Sequence, residues 1–382
     1  MNNIPLILSD VITILTSGIT LLIAFLCLIN IQGVNKSGNR WLGIFMLCIF
    51  FYTIDFILML TGMKIESAII IVLLNISIYL FAPAFYYTVT YFITPDKPWK
   101  VKDYLHLFWL ALFYILLSSY LLYEKPSRVK EGIHFLEILF SGYFGIVCCL
   151  QIFYYFTLSW IKLKKHEQNI RLFSSTIENI DLKWLKHIIV CISIMGLLFI
   201  INMLSNITGY YYVVINLSYL IGFFAIVYFS MKQKEIYPFT TKQKNEIIYT
   251  TIKENSKKQE PKKLIQDQKL EELKTVLLHL MENEKPFLDS ELTLVKLASM
   301  MNISLHQLSY LINTGFNENF YQFVNRYRIE EAKRMILDKK MTHLNFQGIA
   351  IEVGFNSKTV FNNTFKKCTG QTPSEYKAAG QY

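Results

Sequence analysis

Charged residues are scarce in this chain, and the scarcity is uneven. Only 17% of the 382 residues are charged while 53% are hydrophobic, an unusual balance for a soluble domain. Residues 1–231 hold 15 Lys and Arg and 11 Asp and Glu, whereas the shorter stretch 232–382 holds 23 and 17. The sequence therefore predicts a membrane-like part followed by a water-like part.

Cysteine is present but lacks the spacing of a metal site or of a disulfide framework. There is no CxxC motif, and no histidine stands nearby at ligand spacing. The six cysteines, five of them inside apolar runs, are Cys27, Cys48, Cys148, Cys149, Cys191 and Cys368. We expect no metal and no cofactor. The N-terminus also lacks the basic segment and cleavage site of a signal peptide, so the first apolar run is expected to stay in the mature protein.

Two further absences narrow the function. Residues 232–382 contain no glycine-rich ATP loop and are too short for a kinase domain beside the helical repeat described below, which excludes a sensor kinase. The last apolar run, 210–230, contains no lysine for a retinal Schiff base, which excludes a retinal pigment. We therefore expect a protein that is not an enzyme.

Long apolar runs dominate the N-terminal part. Seven of them reach the roughly 20 residues needed to cross the hydrocarbon core of a membrane. They are 4–31, 41–61, 67–92, 104–123, 134–161, 185–207 and 210–230. Lys and Arg concentrate in the loops after the first, third and fifth runs, which predicts that these loops are cytoplasmic. The expected protein is multi-pass in the inner (cytoplasmic) membrane, with its N-terminus outside and its C-terminal tail in the cytoplasm.

Several polar residues interrupt these runs. Ionisable or amide side chains in hydrocarbon are costly unless they are paired or hydrated, so they are candidates for function. The six candidates for a signal pocket open to the outside are Asp55, Asn75, Glu137, Asn202, Asn206 and Asn216. The alternative is that they snorkel to the interface or form hydrogen bonds between helices. The sequence leaves both interpretations open.

A polar stretch, 232–265, follows the last run and is broken by Pro238 and Pro261. We expect it to be a cytoplasmic linker. A continuous helix, a tightened dimer or proteolytic release are alternative ways for it to pass a signal, and the prolines argue against the first. Apolar residues then recur at helical spacing from Leu270 to Met281, which predicts an amphipathic helix packed against the following domain, with dimerisation as an alternative.

Two segments about 52 residues apart share one pattern: "LASMMNISLHQLSYLI" at 297–312 and "IAIEVGFNSKTVFNNTF" at 349–365. Each starts with an apolar residue and an alanine, turns at Asn302 or Gly354, and places Ser304 or Ser357 where it caps a second helix. The apolar pairs that each second helix is expected to bury are Leu308 with Ile312 and Phe361 with Phe365. This is the helix-turn-helix pattern, in which the second helix reads the major groove of DNA.

The segments around the repeat support this interpretation. "NFYQFVNRYRIEEAKRMILD" predicts a rigid helix between the copies, able to hold two recognition helices about 34 Å apart in successive major grooves. The ending "TGQTPSEY" predicts a helix stop at Gly370 and a capping box from Thr372 to Glu375. Together these predict an all-helical DNA-binding domain.

Residues 285–379 resemble the AraC/XylS-type DNA-binding domain of bacterial transcription regulators. The resemblance lies in "LTLVKLASMMNIS", "NRYRIEEAKRMIL", "IAIEVGFNS" and "FKKCTGQTPSEY", in that order, and covers about a quarter of the chain. It implies a seven-helix module with two helix-turn-helix units. It also implies that His306, Ser309 and Tyr310 occupy base-reading positions on the first recognition helix. Because Leu308 and Ile312 are expected to be buried, the positions of this helix that are expected to face solvent are His306, Gln307, Ser309, Tyr310 and Asn313.

On the second recognition helix four polar residues are expected to face outward. Their donors and amides suit guanine and adenine edges; they are Lys358, Thr359, Asn362 and Asn363. Lys366, Lys367 and Arg326 are candidate phosphate contacts. Arg326 and its neighbour Arg328 alternatively form ion pairs with Glu330 or Glu331 on the same helix.

The expected fold is all-α: a seven-helix transmembrane bundle (1–231), the linker (232–265) and a double helix-turn-helix domain (266–382). The expected function is a membrane-anchored, sequence-specific transcription regulator that passes a signal from the membrane domain to its DNA-binding domain. The expected partners are double-stranded DNA, the lipid bilayer and an unknown extracellular or membrane-borne signal, with a homodimer left open. The alternative is a transporter or membrane receptor whose helical tail docks a protein partner.

Overall fold

The computed structural model describes residues 4–31, 33, 35–61, 68–108, 112, 143–178, 180–205, 210–232, 267–341 and 343–380. Over these ranges the secondary structure is helical, apart from one isolated β-bridge between Ser174 and Thr293. The chain divides into two compact units: residues 1–165 with 182–236, and residues 166–181 with 237–382. The predicted all-α class is confirmed for the described residues.

In the described part of the first 232 residues, six long helices follow one another. They are α1 (Ile4–Ile29), α2 (Lys36–Thr61), α3 (Ala68–Ile93), α4 (Tyr143–Ile170), α5 (Lys183–Ser205) and α6 (Tyr210–Lys232). At 1.5 Å per residue they are about 35 to 42 Å long. Each overlaps one of the predicted apolar runs, and the remaining run, 104–123, lies mostly outside the described residues. The last residues of α4, from His166, belong to the C-terminal unit.

Helix α1 packs against both α2 and α6, and α2 also packs against α3. Gly43 permits the close approach of α2 to α1, because a Cβ at this position would lie 2.8 Å from the Leu28 side chain. A polar contact joins α6 to α1: the Asn216 amide donates to the hydroxyls of Ser9 and Thr13, at 2.9 Å each. The N-terminal helices are therefore held together by both apolar and amide contacts.

Among the described residues, one helical stretch, Leu8–Ile29, is both long enough and apolar enough to cross a membrane. The seven-span bundle and its orientation stay predictions. The linker prediction falls almost entirely on residues outside the described ranges.

The C-terminal unit contains α7 (Asp267–Asn283), α8 (Leu294–Met300), α9 (Leu305–Phe316), α10 (Phe320–Leu337), α11 (Phe346–Glu352), α12 (Lys358–Thr369) and α13 (Pro373–Ala379). Helix α10 is central and packs against α9, α11, α12 and α13. The amphipathic helix is α7, which buries Leu277, Leu280 and Met281 and packs against α9. Its expected packing within the domain is confirmed.

The two helix-turn-helix units, α8–α9 and α11–α12, are built alike. In the first turn Asn302 has φ 54° and the Ile303 N–H donates to the Ala298 carbonyl at 3.1 Å. In the second, Gly354 has φ 91° and the Phe355 N–H donates to the Ala350 carbonyl at 2.8 Å. All four predicted core residues, Leu308, Ile312, Phe361 and Phe365, are at most 1% exposed. The predicted repeat is confirmed.

Helix caps in this unit follow the sequence with one exception. Ser304 forms a capping box with Gln307, and Thr372 forms one with Glu375 before Pro373. Ser357 occupies the N-cap of α12 but its side chain makes no capping hydrogen bond, so that prediction was wrong. Its backbone is more extended than that of Ser304, with φ −148° against −71°, and its hydroxyl does not bond the amides of the first turn.

This difference predicts unequal effects of two identical substitutions. Ser304→Ala removes a capping hydrogen bond and is expected to lower the free energy of unfolding of the C-terminal unit by about 1 kcal/mol. Ser357→Ala removes none and is expected to change it by less than about 0.5 kcal/mol. Pulse proteolysis of the full-length chain in urea, read through a C-terminal tag, measures both. Equal losses would contradict the assignment of the caps.

Candidate nucleic-acid interface

The first recognition helix, α9, is more enclosed than its sequence predicts. Five consecutive residues, 308–312, are buried, and Ser309 and Tyr310 are only 5% and 4% exposed. The expectation that these two face solvent was wrong. The apolar stripe accounted for one face of α9, but α7, α8 and α10 all pack against this helix and cover more of its circumference.

The other outward candidates on α9 are partly committed to local contacts. Gln307 accepts the Ser304 N–H at 3.0 Å as part of the capping box. The Asn313 amide lies 3.5 Å from the Ser309 hydroxyl. His306 is half-buried, and its Nδ1 is enclosed without a hydrogen-bond partner. The base-reading role of His306, Ser309 and Tyr310 stays a prediction.

The second recognition helix, α12, presents a clear polar face. Lys358, Thr359 and Asn363 are exposed and Asn362 is half-buried, and none of the four side chains forms a hydrogen bond within the described part of the chain. The opposite face is fixed by edge-to-face aromatic contacts that run from Phe355 through Phe361 and Phe365 to Tyr376. A firmly packed helix thus presents four polar side chains that make no hydrogen bond to the described residues.

Two lysines extend this face. Lys366 and Lys367 lie in the last turn of α12 and are exposed. No described carboxylate lies within ion-pair distance of Lys358, Lys366 or Lys367. Helix α12 therefore carries the cationic and amide groups required to contact phosphates and base edges.

Arg326 is engaged by a residue outside the predicted alternatives. Its guanidinium makes a two-point contact with Glu318, with Nε–Oε1 at 3.0 Å and Nη2–Oε2 at 3.1 Å, and lies 4.8 Å from the centre of the Tyr327 ring. Glu330 and Glu331 pair instead with lysines and with Arg334. A phosphate contact by Arg326, which stays a prediction, requires sharing or breaking the Glu318 pair.

Arg328, on the same helix, is fully buried and cannot contact phosphate in this conformation. It donates to the carbonyls of Phe287 at 2.7 Å and Asp289 at 2.8 Å and to the Ser175 hydroxyl at 3.0 Å. Its guanidinium also lies 5.6 Å from the centre of the Phe355 ring. Burial lowers the pKa of Arg328 to about 10, so the side chain remains a cation at neutral pH.

Gly354 brings the second helix-turn-helix unit against this cation. A Cβ at Gly354 would lie 2.8 Å from the carbonyl oxygens of both Phe287 and Leu288 and 3.0 Å from the Arg328 Nε. We call this contact region the Arg328 junction: Arg328, Phe287, Asp289, Gly354 and Ser175. It joins the segment that precedes the first helix-turn-helix unit to the turn of the second.

The sequence does not identify the junction. Arg328 belongs to a helix in which basic and acidic residues lie within a turn of each other, a pattern that favours a solvent-exposed ion pair over a buried cation. Ser175 lies 153 residues away in the chain, and no local pattern signals a contact at that separation. The sequence predicts a turn at Gly354, but not its packing against the carbonyl groups of Phe287 and Leu288, which lie more than 60 residues earlier in the chain.

Of the six candidate signal residues, only Asn216 has contacts among the described residues. Asn216 binds α1 through Ser9 and Thr13, the helix-to-helix contact that the alternative interpretation expects. Asp55, Asn75 and Asn202 lie on α2, α3 and α5, but their side chains fall outside the described set. Glu137 and Asn206 lie outside the described residues altogether. The signal pocket stays a prediction.

Comparisons with known proteins concern this C-terminal region. Residues 297–379 match the family model of a helix-turn-helix domain. A stretch of 87 residues is 36% identical to an HTH-type transcriptional regulator of Staphylococcus aureus (strain COL), covering 23% of this chain and 11% of that protein. A stretch of 90 residues is 29% identical to the arabinose operon regulatory protein of Escherichia coli K12, covering 24% of this chain and 30% of that protein. The C-terminal region is an AraC-type helix-turn-helix domain.

Solved structures match the same AraC-type domain. The C-terminal domain of AraT, a response regulator from Geobacillus stearothermophilus, is 28% identical and is matched over 84% of its length and 28% of this chain, with a TM-score of 0.25. The C-terminal domain of the response regulator yesN from Fusobacterium nucleatum is 30% identical over 96% of its length, with a TM-score of 0.24. The matches thus span less than a third of this chain and of the curated relatives' lengths.

The packing at Gly354 predicts that this glycine is required in the AraC-type domain. Gly354→Ala places a Cβ at positive φ and against two carbonyl groups, and is expected to destabilise the C-terminal unit by at least about 2 kcal/mol. Gly315→Ala in α9 is the matched control, since its Cβ meets only ordinary contacts at 3.7 and 3.9 Å, and is expected to be neutral or stabilising by up to about 1 kcal/mol. Thermal loss of protease resistance of the C-terminal unit compares them. A Gly354→Ala variant as stable as Gly315→Ala would refute the close packing.

Proposed function

We propose that this protein is a membrane-anchored, sequence-specific transcription regulator that binds DNA through its AraC-type domain. The observation that carries the proposal is the exposed polar face of α12, which projects from a tightly packed helix-turn-helix unit. Recognition helices of this motif lie in the major groove, where exposed side chains meet base edges. The proposal also draws on the Staphylococcus and Escherichia relatives, which are named as transcriptional and operon regulators.

The chemistry of α12 suits this role. Asn362 and Asn363 carry amides that pair in two-point fashion with adenine, and Lys358 is a donor for guanine O6 and N7. Lys366 and Lys367 supply charge for phosphates, which position the protein on the duplex without reading sequence. Because Ser309 and Tyr310 are buried on α9, we assign most of the sequence specificity to α12.

Exposed apolar side chains on the N-terminal helices support the membrane anchor. On α1 alone, seven large apolar residues are between 46% and 58% exposed: Leu8, Val11, Ile14, Leu15, Leu22, Phe25 and Ile29. Val214, Ile221 and Phe224 on α6 are also exposed. Contiguous apolar surface of this extent is rare on water-soluble proteins, and it fits lipid contact. We infer that these helices lie in the bilayer.

Aromatic and basic residues collect where α2 begins and α3 ends. The rings of Tyr87, Trp41 and Trp99 form a cluster: Tyr87 lies 4.6 Å from Trp41 and 5.1 Å from Trp99, and the two tryptophan rings are 5.8 Å apart. Arg40 and Lys97 are close by, and Lys97 pairs with Asp103. Tryptophan, tyrosine and basic residues are enriched at membrane interfaces, and basic residues on the cytoplasmic side. This cluster supports the proposed orientation, in which the start of α2 and the end of α3 face the cytoplasm.

DNA selection tests the regulator. Full-length protein in detergent, incubated with random duplex DNA at two salt concentrations, is expected to enrich one sequence. Lys358→Ala and Asn363→Ala are each expected to cost about 1–3 kcal/mol in affinity and to relax preference at one position. Lys366→Ala is expected to weaken binding to all sequences alike and to reduce the salt dependence.

The matched control is Lys269→Ala, which removes the same charge from an exposed position on α7, outside both helix-turn-helix units. It is expected to leave the selected sequence and its affinity unchanged. If the wild-type protein enriches no sequence, or if Lys269→Ala and Lys358→Ala behave alike, the proposed role of α12 fails and docking of a protein partner becomes the better explanation.

Membrane extraction tests the anchor. The full-length chain is expected to stay in the membrane pellet after an alkaline carbonate wash, because the exposed apolar faces of α1 and α6 require lipid. A peripheral membrane protein in the same preparation is the reference for the wash and is expected in the supernatant. Release of the full-length chain into the supernatant would rule out integral membrane insertion.

A further inference from the structure

Residues 166–181 connect α4 to α5 in the sequence, yet they belong to the C-terminal unit. We call them the docking segment. A hydrogen bond of 2.8 Å between His166 Nε2 and the Ile180 carbonyl closes the segment on itself. Ile170, Phe173 and Ile177 are buried, at 0%, 1% and 8% exposure. The segment is thus a packed part of the unit that contains the AraC-type domain.

The docking segment pairs with the backbone just before α8. The Ser175 N–H donates to the Leu292 carbonyl at 3.2 Å, and the Leu294 N–H donates to the Phe173 carbonyl at 3.0 Å. This is the pattern of a short antiparallel ladder in which Ser174 and Thr293 stand directly opposite each other. The Ser175 hydroxyl adds a bond to the Leu292 carbonyl at 2.7 Å. The start of the first helix-turn-helix unit is held by this ladder.

The same segment binds α10. The Tyr321 N–H in the first turn of α10 donates to the Arg171 carbonyl at 3.1 Å. The buried Asn325 amide donates to the Ser175 carbonyl at 3.2 Å, and Arg328 donates to the same residue's carbonyl and hydroxyl at 3.3 and 3.0 Å. Ser175 therefore binds two elements at once: helix α10, which lies between the two helix-turn-helix units, and the backbone at Leu292, which leads into the first of them.

We propose that the docking segment completes the DNA-binding unit, so that its DNA affinity depends on the segment being docked. The inference rests on the proposed function. It makes the α4–α5 connection, rather than the linker 232–265, the route by which a change in the N-terminal helices reaches the recognition helices. The chain supports this route, because α4 continues without a break from Lys165 to Ile170 inside the docking segment, and α5 begins at Lys183, two residues after the segment ends.

The docked state is favoured because undocking would leave buried groups of the DNA-binding unit without hydrogen-bond partners. The Leu294 N–H would lose the Phe173 carbonyl and Arg328 would lose both acceptors on Ser175, and Leu294 and Arg328 are fully buried. A buried N–H group without an acceptor is unfavourable, because it has lost its hydration and gained no hydrogen bond in return. The docked segment provides the acceptor. Undocking also exposes Phe173 and Ile177 to water. The docked and undocked states therefore differ sharply, as a switching element requires.

A disulfide tests the docking itself. Ser174 and Thr293 form a pair in which neither residue donates a backbone hydrogen bond to the other. Residues paired in this way in an antiparallel ladder have Cα atoms about 4.5 Å apart, a distance that a disulfide can bridge. In full-length protein with its six native cysteines replaced and a protease site placed in the linker, Ser174→Cys with Thr293→Cys is expected to cross-link on mild oxidation. After cleavage, the two fragments stay joined until reductant is added. The single variants Ser174→Cys and Thr293→Cys are the controls.

A rescue experiment tests the effect on DNA. Ser175→Ala deletes the hydroxyl that bonds Leu292 and Arg328, and is expected to weaken binding of the full-length protein to the selected sequence by about tenfold. Oxidation of Ser174→Cys/Ser175→Ala/Thr293→Cys is expected to restore that affinity, and reduction to abolish the gain. Gln168→Ala, at an exposed position of the same segment, is the matched control and is expected to have no effect.

The outcomes separate the two hypotheses. If the wild-type protein binds its selected sequence but Ser175→Ala binds equally well, the dependence on docking is refuted while the proposed function survives. Absence of the cross-link refutes docking in the same way. If the wild-type protein selects no DNA, the proposed function fails first, and the present inference fails with it.

Discussion

The C-terminal unit depends on one buried cation. A guanidinium removed from water costs several kcal/mol unless its donors are satisfied, and Arg328 meets that requirement mainly with carbonyl oxygens of the main chain. Those carbonyls come from separate parts of the sequence, before the first helix-turn-helix unit and between α4 and α5. The second unit closes the site through Gly354 and the Phe355 ring. The hydrogen bonds and contacts that stabilise this one charge thus fix the positions of the two helix-turn-helix units relative to each other.

The two recognition helices have diverged in exposure although they share a plan. Helix α9 is enclosed by three neighbours and retains few free polar groups, whereas α12 rests on a row of aromatic rings and leaves its outer face open. Rigid packing beneath α12 matters because base recognition requires side chains held in a fixed orientation. This difference in exposure fits our proposal that α12 supplies most of the DNA contacts, while α9 mainly stabilises the domain.

Local chemistry was predictable from the sequence, and distant contacts were not. Periodicity and turn residues located both helix-turn-helix units, the buried Leu308 and Phe361, and the caps at Ser304 and Thr372. The same reasoning failed at Ser357, whose more extended backbone keeps its hydroxyl from capping α12. It also failed at Tyr310 and Arg328, whose burial depends on helices and carbonyls far away in the chain. The six candidate signal residues and the membrane spans await experiments, since only Asn216 has described contacts.

The docking segment has a consequence for how such proteins can be recombined. A DNA-binding domain at the C-terminus of a regulator suggests that it can be transferred to another protein by cutting the chain anywhere in the linker. Here the unit is discontinuous in sequence, and a graft of residues 266–382 alone would leave behind the strand partner of Leu292 and Leu294 and two acceptors of Arg328. A functional chimera must carry residues 166–181 with it, so the segment and the domain are expected to have been inherited together.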